Sequence, residues 1–269
     1  MRTSGWQPRS RCSHQVPLRG LPYGVRVTDV QAGNTKPGAA EKERILELYA
    51  GEIRYVDAQL ARILARLKES GVYDRALVVF ASDHGEEFWE HGRYEHGHTL
   101  YDEVLRVPLF LKLPGETPAQ ELTADVSTEA LVPTVLDVLG VAYDPELMSS
   151  RSLTPFWREP ARARVEPLFA TGTYYFGEKR GVGFDGQKLG VELDTSRREL
   201  YDLAQDPHEL SSQAAASPDA LIRGLALVQA WQERCAELRK RLGITDAAGA
   251  GADEGIEDMM RALGYAGPQ

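Results

Sequence analysis

Leu77-Val-Val-Phe-Ala-Ser-Asp83-His84-Gly85-Glu86-Glu87 begins the stretch that decides the fold of this chain, and Arg106-Val-Pro-Leu-Phe-Leu111 ends it. Between Asp83 and Arg106 lie four of the six histidines, which are His84, His91, His96 and His98. An apolar, β-branched run that stops at Ser-Asp-His-Gly predicts a buried strand leaving a sheet at its carboxyl end. Open α/β sheets place their ligand sites at that end.

The residue types at this strand end are those of a metal site. Asp83 supplies a hard oxygen and His84 an imidazole nitrogen, and the turn that Gly85 permits brings both toward one ion. Two ligands do not complete a site. The nearest candidates for further ligands, or for donors to an anionic substrate, are His91, His96 and His98. For any one of these histidines a hydrogen-bonded loop residue is the alternative.

Composition excludes several classes of protein. The net charge of −9 over 269 residues argues against a nucleic-acid partner, and 42% hydrophobic residues suffice for a core. Cys12 and Cys235 give neither a disulfide framework nor a metal spacing. No apolar run approaches the roughly 18 residues of a membrane span, and the N-terminus lacks the apolar core of a signal peptide. We expect a soluble chain without a membrane segment, and its compartment stays unknown.

The first part of the chain is predicted to be an irregular arm, residues 1–40, followed by an α/β unit over residues 41–160. Apolar residues at intervals of three and four predict an amphipathic helix from Glu41 to Ser70, which Gly71 ends. The expected elements that follow are strands at Ala76–Ala81 and Val107–Leu113, and a helix at Thr128–Leu139 with Ser127 or Thr128 as its cap, Pro133 in its first turn and Gly140 after it.

Residues 161–245 are predicted to form a small α+β subdomain, and residues 246–269 a flexible tail. Three short strands are expected, at Leu168–Phe176, Gly181–Leu193 and Glu199–Leu203, with a turn at Asp185-Gly186. Such strands indicate an antiparallel meander. A helix from Pro218 to Leu242 then presents an apolar stripe toward the sheet.

Several short motifs, in order, resemble the second half of the sulfatase family within the alkaline phosphatase superfamily. They are Ser82-Asp-His-Gly-Glu86, Glu90-His-Gly92, His96-Gly-His-Thr-Leu-Tyr-Asp-Glu103 and Leu105-Arg-Val-Pro-Leu109. The likeness extends from about Glu41 to Leu210, through Tyr49–Asp57 before the strand and Glu199–Leu203 with Asp206-Pro207 after it. It implies an α/β fold: a partial alkaline-phosphatase-like sandwich with a small C-terminal subdomain of antiparallel β-sheet plus helix.

The resemblance also implies a reaction, the metal-dependent hydrolysis of sulfate esters on a sulfated small molecule or glycan. Asp83 and His84 are then metal ligands, and His96 and His98 are catalytic residues that contact the sulfate or protonate the leaving group. His91 and His98 are assigned to substrate binding. Calcium is the commonest metal of the family, but His84 stands where many calcium-dependent relatives have Asn, which admits manganese or zinc.

The family nucleophile is a formylglycine made within a Cys/Ser-x-Pro-x-Arg motif. Neither Cys12-Ser-His-Gln-Val16 nor any other segment fits that motif, so formylglycine is not encoded in this chain, and the paired N-terminal aspartates of the family are missing too. We expect a missing N-terminal half, which a truncated gene product, a fragmentary gene model or a chain completed by another polypeptide would each explain. From the chain alone we expect little or no sulfatase activity and weak metal binding. The alternatives are a phosphodiester or phosphonate hydrolase or a phosphotransferase of the same superfamily, and a non-catalytic binding module with the sulfatase fold.

Overall fold

The computed structural model describes residues 37–115, 119–160, 163, 165–173 and 177–244. Helix α1 spans Ala39–Glu69 and confirms the predicted long helix. Gly71, at φ +68°, follows its end as expected. Of the predicted arm, residues 1–36 lie outside the described residues, and Ala39 and Ala40 belong to α1. The predicted tail, residues 246–269, also lies outside them.

The central unit begins with strand β1, Val78–Ala81. The elements that follow are β2 (Glu87–Phe88), β3 (Tyr94–Glu95), the short helix α2 (Asp102–Leu105) and β4 (Leu109–Lys112). β2 and β3 form a small hairpin, and β1 pairs antiparallel with β4, with Ala81 opposite Leu109. Both strands expected here are therefore confirmed, within slightly shorter bounds.

The prediction that β1 is buried is wrong. Its residues are half-buried or exposed, and Phe110 on the partner strand is 66% exposed. Within the described residues β1 and β4 form a two-stranded sheet with no third strand beside it. The outer edges of both strands and the faces of this small sheet are therefore not fully covered. Helix α1 packs instead on the β2–β3 hairpin, where Ile45 and Tyr94 are buried together.

Helix α3 spans Leu131–Leu139 and continues a 3₁₀ turn at Thr128–Ala130. The Ser127 hydroxyl caps that turn by accepting the N–H of Glu129, and Gly140 closes the helix at φ +70°. Pro133 lies in the first turn of α3, where its missing N–H costs nothing. A single-turn helix, α4 (Pro155–Arg158), follows.

A four-stranded antiparallel sheet and a long helix form the C-terminal part. The strands are β5 (Leu168–Thr171), β6 (Lys179–Phe184), β7 (Gln187–Glu192) and β8 (Arg198–Asp202), in that order across the sheet, and the helix is α5 (Pro218–Arg241). The prediction of three strands is wrong because Gly181–Leu193 folds back at the expected Asp185-Gly186 turn and supplies two. The predicted domain division near residue 160 stays a prediction.

The core of this part lies between one sheet face and α5. Its buried residues are Val182, Phe184, Leu189, Leu200 and Val228. None of the described helices is long and apolar enough to cross a bilayer.

Truncating the core should destabilise the chain. Leu189 is fully buried, so we expect Leu189→Ala to lower the free energy of unfolding by about 2–5 kcal/mol through lost contacts and a residual cavity. Urea denaturation followed by circular dichroism measures the change. Leu210→Ala is the matched control, because Leu210 is 66% exposed and should change stability by no more than about 0.5 kcal/mol. Equal losses from both variants would contradict this description of the core.

Candidate active site

The turn that follows β1 is tied to the segment before β4 by a close backbone contact. The Gly85 N–H donates to the Val104 carbonyl at 2.7 Å. A Cβ atom at position 85 would lie 2.1 Å from the Glu103 carbonyl oxygen, so no larger residue fits without moving backbone. This contact fixes the direction in which Asp83, His84 and Glu86 leave the strand.

Three side chains converge beyond this turn: His84, Glu86 and His96. The rings of His84 and His96 stack with centroids 3.7 Å apart. The Glu86 Oε1 atom lies 2.8 Å from His96 Nδ1 and 4.0 Å from His84 Nδ1. One ligand atom from each residue lies within 4.8 Å of the other two, so the group can hold a metal ion. Two imidazoles with a carboxylate suit zinc or manganese better than calcium.

The surroundings of this group concentrate negative charge. Burial alone would lower the pKa of His96, but the hydrogen bond that its ring donates to Glu86 and the charges of Glu86, Glu95 and Asp83 raise it. Burial, together with the charge of Glu86, raises the pKa of Glu95 to about 7. A cation bound beside Glu86 and Glu95 would relieve the repulsion between the two carboxylates.

Asp83 stands beside this group at the mouth of a large groove. Its side chain is 83% exposed, and its Oδ1 atom lies 3.9 Å from His84 Nε2. The groove is lined by Asp83, His84 and His96 together. Three of the five predicted site residues therefore share one surface.

His98 lies apart from that surface, in a fully buried pair with Glu87. The His98 Nε2 and Glu87 Oε2 atoms are 3.1 Å apart, and neither side chain has exposed area. Glu87 also accepts the backbone N–H groups of Arg93 at 2.8 Å and His91 at 3.2 Å. Burial would raise the pKa of Glu87, but these hydrogen bonds outweigh it and lower the pKa. The pair holds the loop that carries His96.

His91 connects the same loop to the C-terminal part. Its Nδ1 atom lies 2.5 Å from Glu103 Oε1, and its Nε2 atom lies 3.2 Å from the Glu209 carbonyl oxygen. Its ring stacks on Tyr101 at 3.5 Å. His91 and His98 both line a smaller second cavity. Their assignment to substrate binding stays a prediction.

Sequence reasoning gave Glu86 no role, although it joins both histidines of the candidate site. The signal was the spacing His84-x-Glu86, which places the carboxylate on the far side of the Gly85 turn. A count of histidines alone could not detect it.

Two family models match the chain. The Sulfatase model matches residues 11–141, and the model described as N-sulphoglucosamine sulphohydrolase, C-terminal, matches residues 89–227, which is more than half of the chain. The chain belongs to the sulfatase family. Within the alkaline phosphatase superfamily, sulfatases generally use a divalent metal, and the group of His84, Glu86 and His96 can hold one in this sulfatase chain.

Individual relatives agree with this membership. Arylsulfatase K of Xenopus laevis is 28% identical over 61% of this chain and 32% of its own length. The multifunctional alkaline phosphatase superfamily protein PehA of Trinickia caryophylli is 30% identical over 66% of this chain and 38% of its own. The sulfatase chain thus spans about a third of the length of these curated relatives.

The fold agrees with solved structures as well. A protein solved in complex with its substrate D-glucosamine-2-N,6-O-disulfate superposes with a TM-score of 0.62 at 22% identity. The match covers 80% of this chain and 46% of that protein. The predicted α/β, alkaline-phosphatase-like fold class is therefore confirmed.

Breaking the buried pair should unfold the loop. We expect His98→Ala to lower the free energy of unfolding by about 3 kcal/mol, because it leaves the Glu87 carboxylate buried without its ring partner. Thermal and urea denaturation measure the loss. His208→Ala is the control, since His208 is exposed and should change stability by no more than about 0.5 kcal/mol. If the two variants are equally stable, Glu87 and His98 do not hold the loop.

Proposed function

We propose that this chain forms the metal-binding wall of an active site that hydrolyses sulfate esters. The observation that carries the proposal is the convergence of His84, Glu86 and His96 at the groove where Asp83 also lies. Family membership supports the reaction class at the level of sulfate-ester hydrolysis. The glucosamine disulfate bound by one protein of similar fold supports a sulfated glycan as substrate.

Each residue has a proposed role. Of the group that can hold a metal, we assign His84 as a ligand together with Asp83, whose Oδ1 atom lies 3.9 Å from His84 Nε2, and we assign Glu86 and His96 to the ester. The divalent metal, when bound, would stabilise the negative charge of the sulfate oxygens. Glu86 orients His96 through the 2.8 Å contact at Nδ1. His96 then protonates the leaving oxygen as a general acid. His98, through its contact with Glu87, and His91, through its contacts with Glu103 and Glu209, hold the loop in place.

We further propose that the nucleophile lies outside these 269 residues. Three observations support this. No segment fits Cys/Ser-x-Pro-x-Arg, the chain spans about a third of its curated relatives, and one face of α1 is apolar and uncovered. The exposed apolar residues along that face are Leu46, Ile53, Val56 and Ile63. Phe110 on β4 is exposed as well, and apolar surfaces of this kind fit an N-terminal half of the catalytic domain.

The metal assignment can be tested on the purified chain. We expect manganese or zinc to bind, and we expect Asp83→Ala and His84→Ala each to weaken binding about tenfold or more, because each removes a ligand. Isothermal titration calorimetry with each metal measures the affinity. His208→Ala, an exposed histidine away from the groove, is the control and should bind as the unaltered chain does. Unchanged affinity in both ligand variants would contradict the assignment.

The reaction can be tested by reconstitution. We expect the chain alone to turn over no aryl sulfate, and turnover to appear when it is joined to a sulfatase N-terminal half that carries the Cys-x-Pro-x-Arg motif. In the joined protein, His96→Ala should lower kcat by about 10²–10⁴-fold, as loss of a general acid does. Turnover by the unaltered chain alone, abolished by Asp83→Ala, would overturn the proposal.

A second candidate function is hydrolysis of phosphodiesters or phosphonates, because a phosphonate monoester hydrolase from Silicibacter pomeroyi has a similar fold. The joined protein distinguishes the two when an aryl sulfate and an aryl phosphonate monoester are compared by kcat/KM. Metal binding without turnover of either ester would instead indicate a binding module that has kept the fold.

A further inference from the structure

Glu209 joins the C-terminal part of the chain to the loop between Gly85 and Val104, which we call the histidine loop. Glu209 follows β8 and is only 2% exposed. Its backbone has a φ of +53°. A residue with a Cβ atom rarely adopts this left-handed conformation, and such strain persists where the surrounding structure holds the residue in place. The contacts of Glu209 therefore indicate what it is held there to do.

Two contacts of Glu209 reach opposite sides of the segment that carries His96. The Glu209 carbonyl oxygen lies 3.2 Å from the Nε2 atom of His91. The Glu209 Oε2 atom accepts the backbone N–H of Asp102 at 2.7 Å. His91 precedes His96 in the loop and Asp102 follows it, so a single residue of the C-terminal part holds both sides of this segment.

The contact with Asp102 also supplies an acceptor to the start of helix α2. Asp102 is the first residue of α2, and Tyr101 before it makes no side-chain hydrogen bond to the first turn. The first N–H groups of a helix have no acceptor within the helix, and a carboxylate placed there is favoured by the helix dipole. Glu209 thus caps α2 from a distant part of the sequence.

Helix α2 passes this constraint on to the rest of the histidine loop. The Oε1 atom of Glu103 lies 2.5 Å from the Nδ1 atom of His91. The carbonyl of Val104 accepts the N–H of Gly85, in the turn that carries Glu86. The position of α2 therefore affects both the segment before His96 and the turn that places Glu86 beside it.

Lys188 on β7 fixes the carboxylate of Glu209. Its Nζ atom lies 2.9 Å from Glu209 Oε1 and 3.0 Å from Glu209 Oε2. The same Nζ atom lies 2.7 Å from Asp102 Oδ1. Lys188 and Glu209 are buried and Asp102 is half-buried, so breaking this arrangement would leave an unpaired charge away from water. The C-terminal sheet thus gives Glu209 a fixed base.

We propose that Glu209 is a positioning residue, which sets the place of His96 relative to Glu86 from the C-terminal part of the chain. The inference rests on the proposed role of His96 as general acid. A general acid acts only within hydrogen-bond reach of its acceptor, and a displacement of about 1 Å can cost about 10²-fold in rate. Glu209 is not among the residues that line the groove, so it acts through His91 and α2.

Two substitutions at Glu209 separate positioning from stability in the protein joined to an N-terminal half. We expect Glu209→Ala to lower kcat and kcat/KM alike by about tenfold or more, because a displaced general acid weakens an interaction made only in the transition state. Glu209→Gln keeps an oxygen for the Asp102 N–H and should restore most of kcat. Glu237→Ala, at an exposed glutamate of α5, is the matched control and should change neither constant.

The kinetic comparison is made at a temperature at which circular dichroism shows every variant to be folded. Full kcat in folded Glu209→Ala would mean that Glu209 only stabilises the chain, and this would overturn the inference. Equal losses in Glu209→Ala and Glu209→Gln would also overturn it, because the loss would then follow the buried charge and not the contact with Asp102.

The ring signals of the histidines give a readout that needs no turnover. In nuclear magnetic resonance spectra of the full chain with ¹³C-labelled histidine, at one fixed pH, we expect Glu209→Ala to shift the signals of both His91 and His96. Glu237→Ala should shift neither. The variants His91→Gln and His96→Gln assign the signals. A shift of His91 with His96 unmoved would show that Glu209 anchors the loop without placing His96, which contradicts the inference.

The two readouts distinguish failure of this inference from failure of the proposed reaction. If the joined protein hydrolyses no ester but Glu209→Ala shifts the His96 signal, the reaction fails and the link from Glu209 to His96 stands. If the joined protein is active and Glu209→Ala changes neither kcat nor the His96 signal, the reaction stands and the inference fails.

Discussion

The structure depends on one buried carboxylate. Glu87 has no exposed area, yet it stays ionised because His98, Thr99 and two backbone N–H groups donate to it from different points of the same loop. A charge this deeply buried tolerates no unpaired arrangement, so it selects a single conformation of the loop. His96 lies in the same loop, and that conformation places it beside Glu86 at the groove.

The sequence predicted well the helices whose apolar residues recur at regular intervals and whose ends carry capping residues. The α1 periodicity, the Ser127 cap and the Gly140 stop follow from local rules, and the structure confirms each. The C-terminal strands were undercounted because Gly181–Leu193 is apolar on both sides of a two-residue turn. The burial of β1 was overestimated because burial depends on neighbouring strands, which a short apolar run does not specify.

The sequence allowed only part of the candidate site to be predicted. Asp83 and His84 could be found because they end a strand, and His96 because of its spacing from them. His98 is a histidine of the same loop as His96, but the sequence could not reveal that its side chain faces inward. Its direction is set by Glu87, eleven residues earlier, and such pairings depend on the folded loop. Because ligand sites lie where the strands of an open sheet end, the sequence could predict that Asp83, His84 and His96 line one groove.

The backbone contact between Gly85 and Val104 joins the two ends of the histidine loop. The ends are therefore anchored to each other independently of the tip, where Trp89 and Gly92 adopt positive φ angles in the hairpin between β2 and β3. The tip itself is held by Glu87, which accepts the N–H groups of His91 and Arg93. A change in the length of this hairpin would therefore cost hydrogen bonds to the buried carboxylate, whereas the Gly85–Val104 contact would still close the base of the loop.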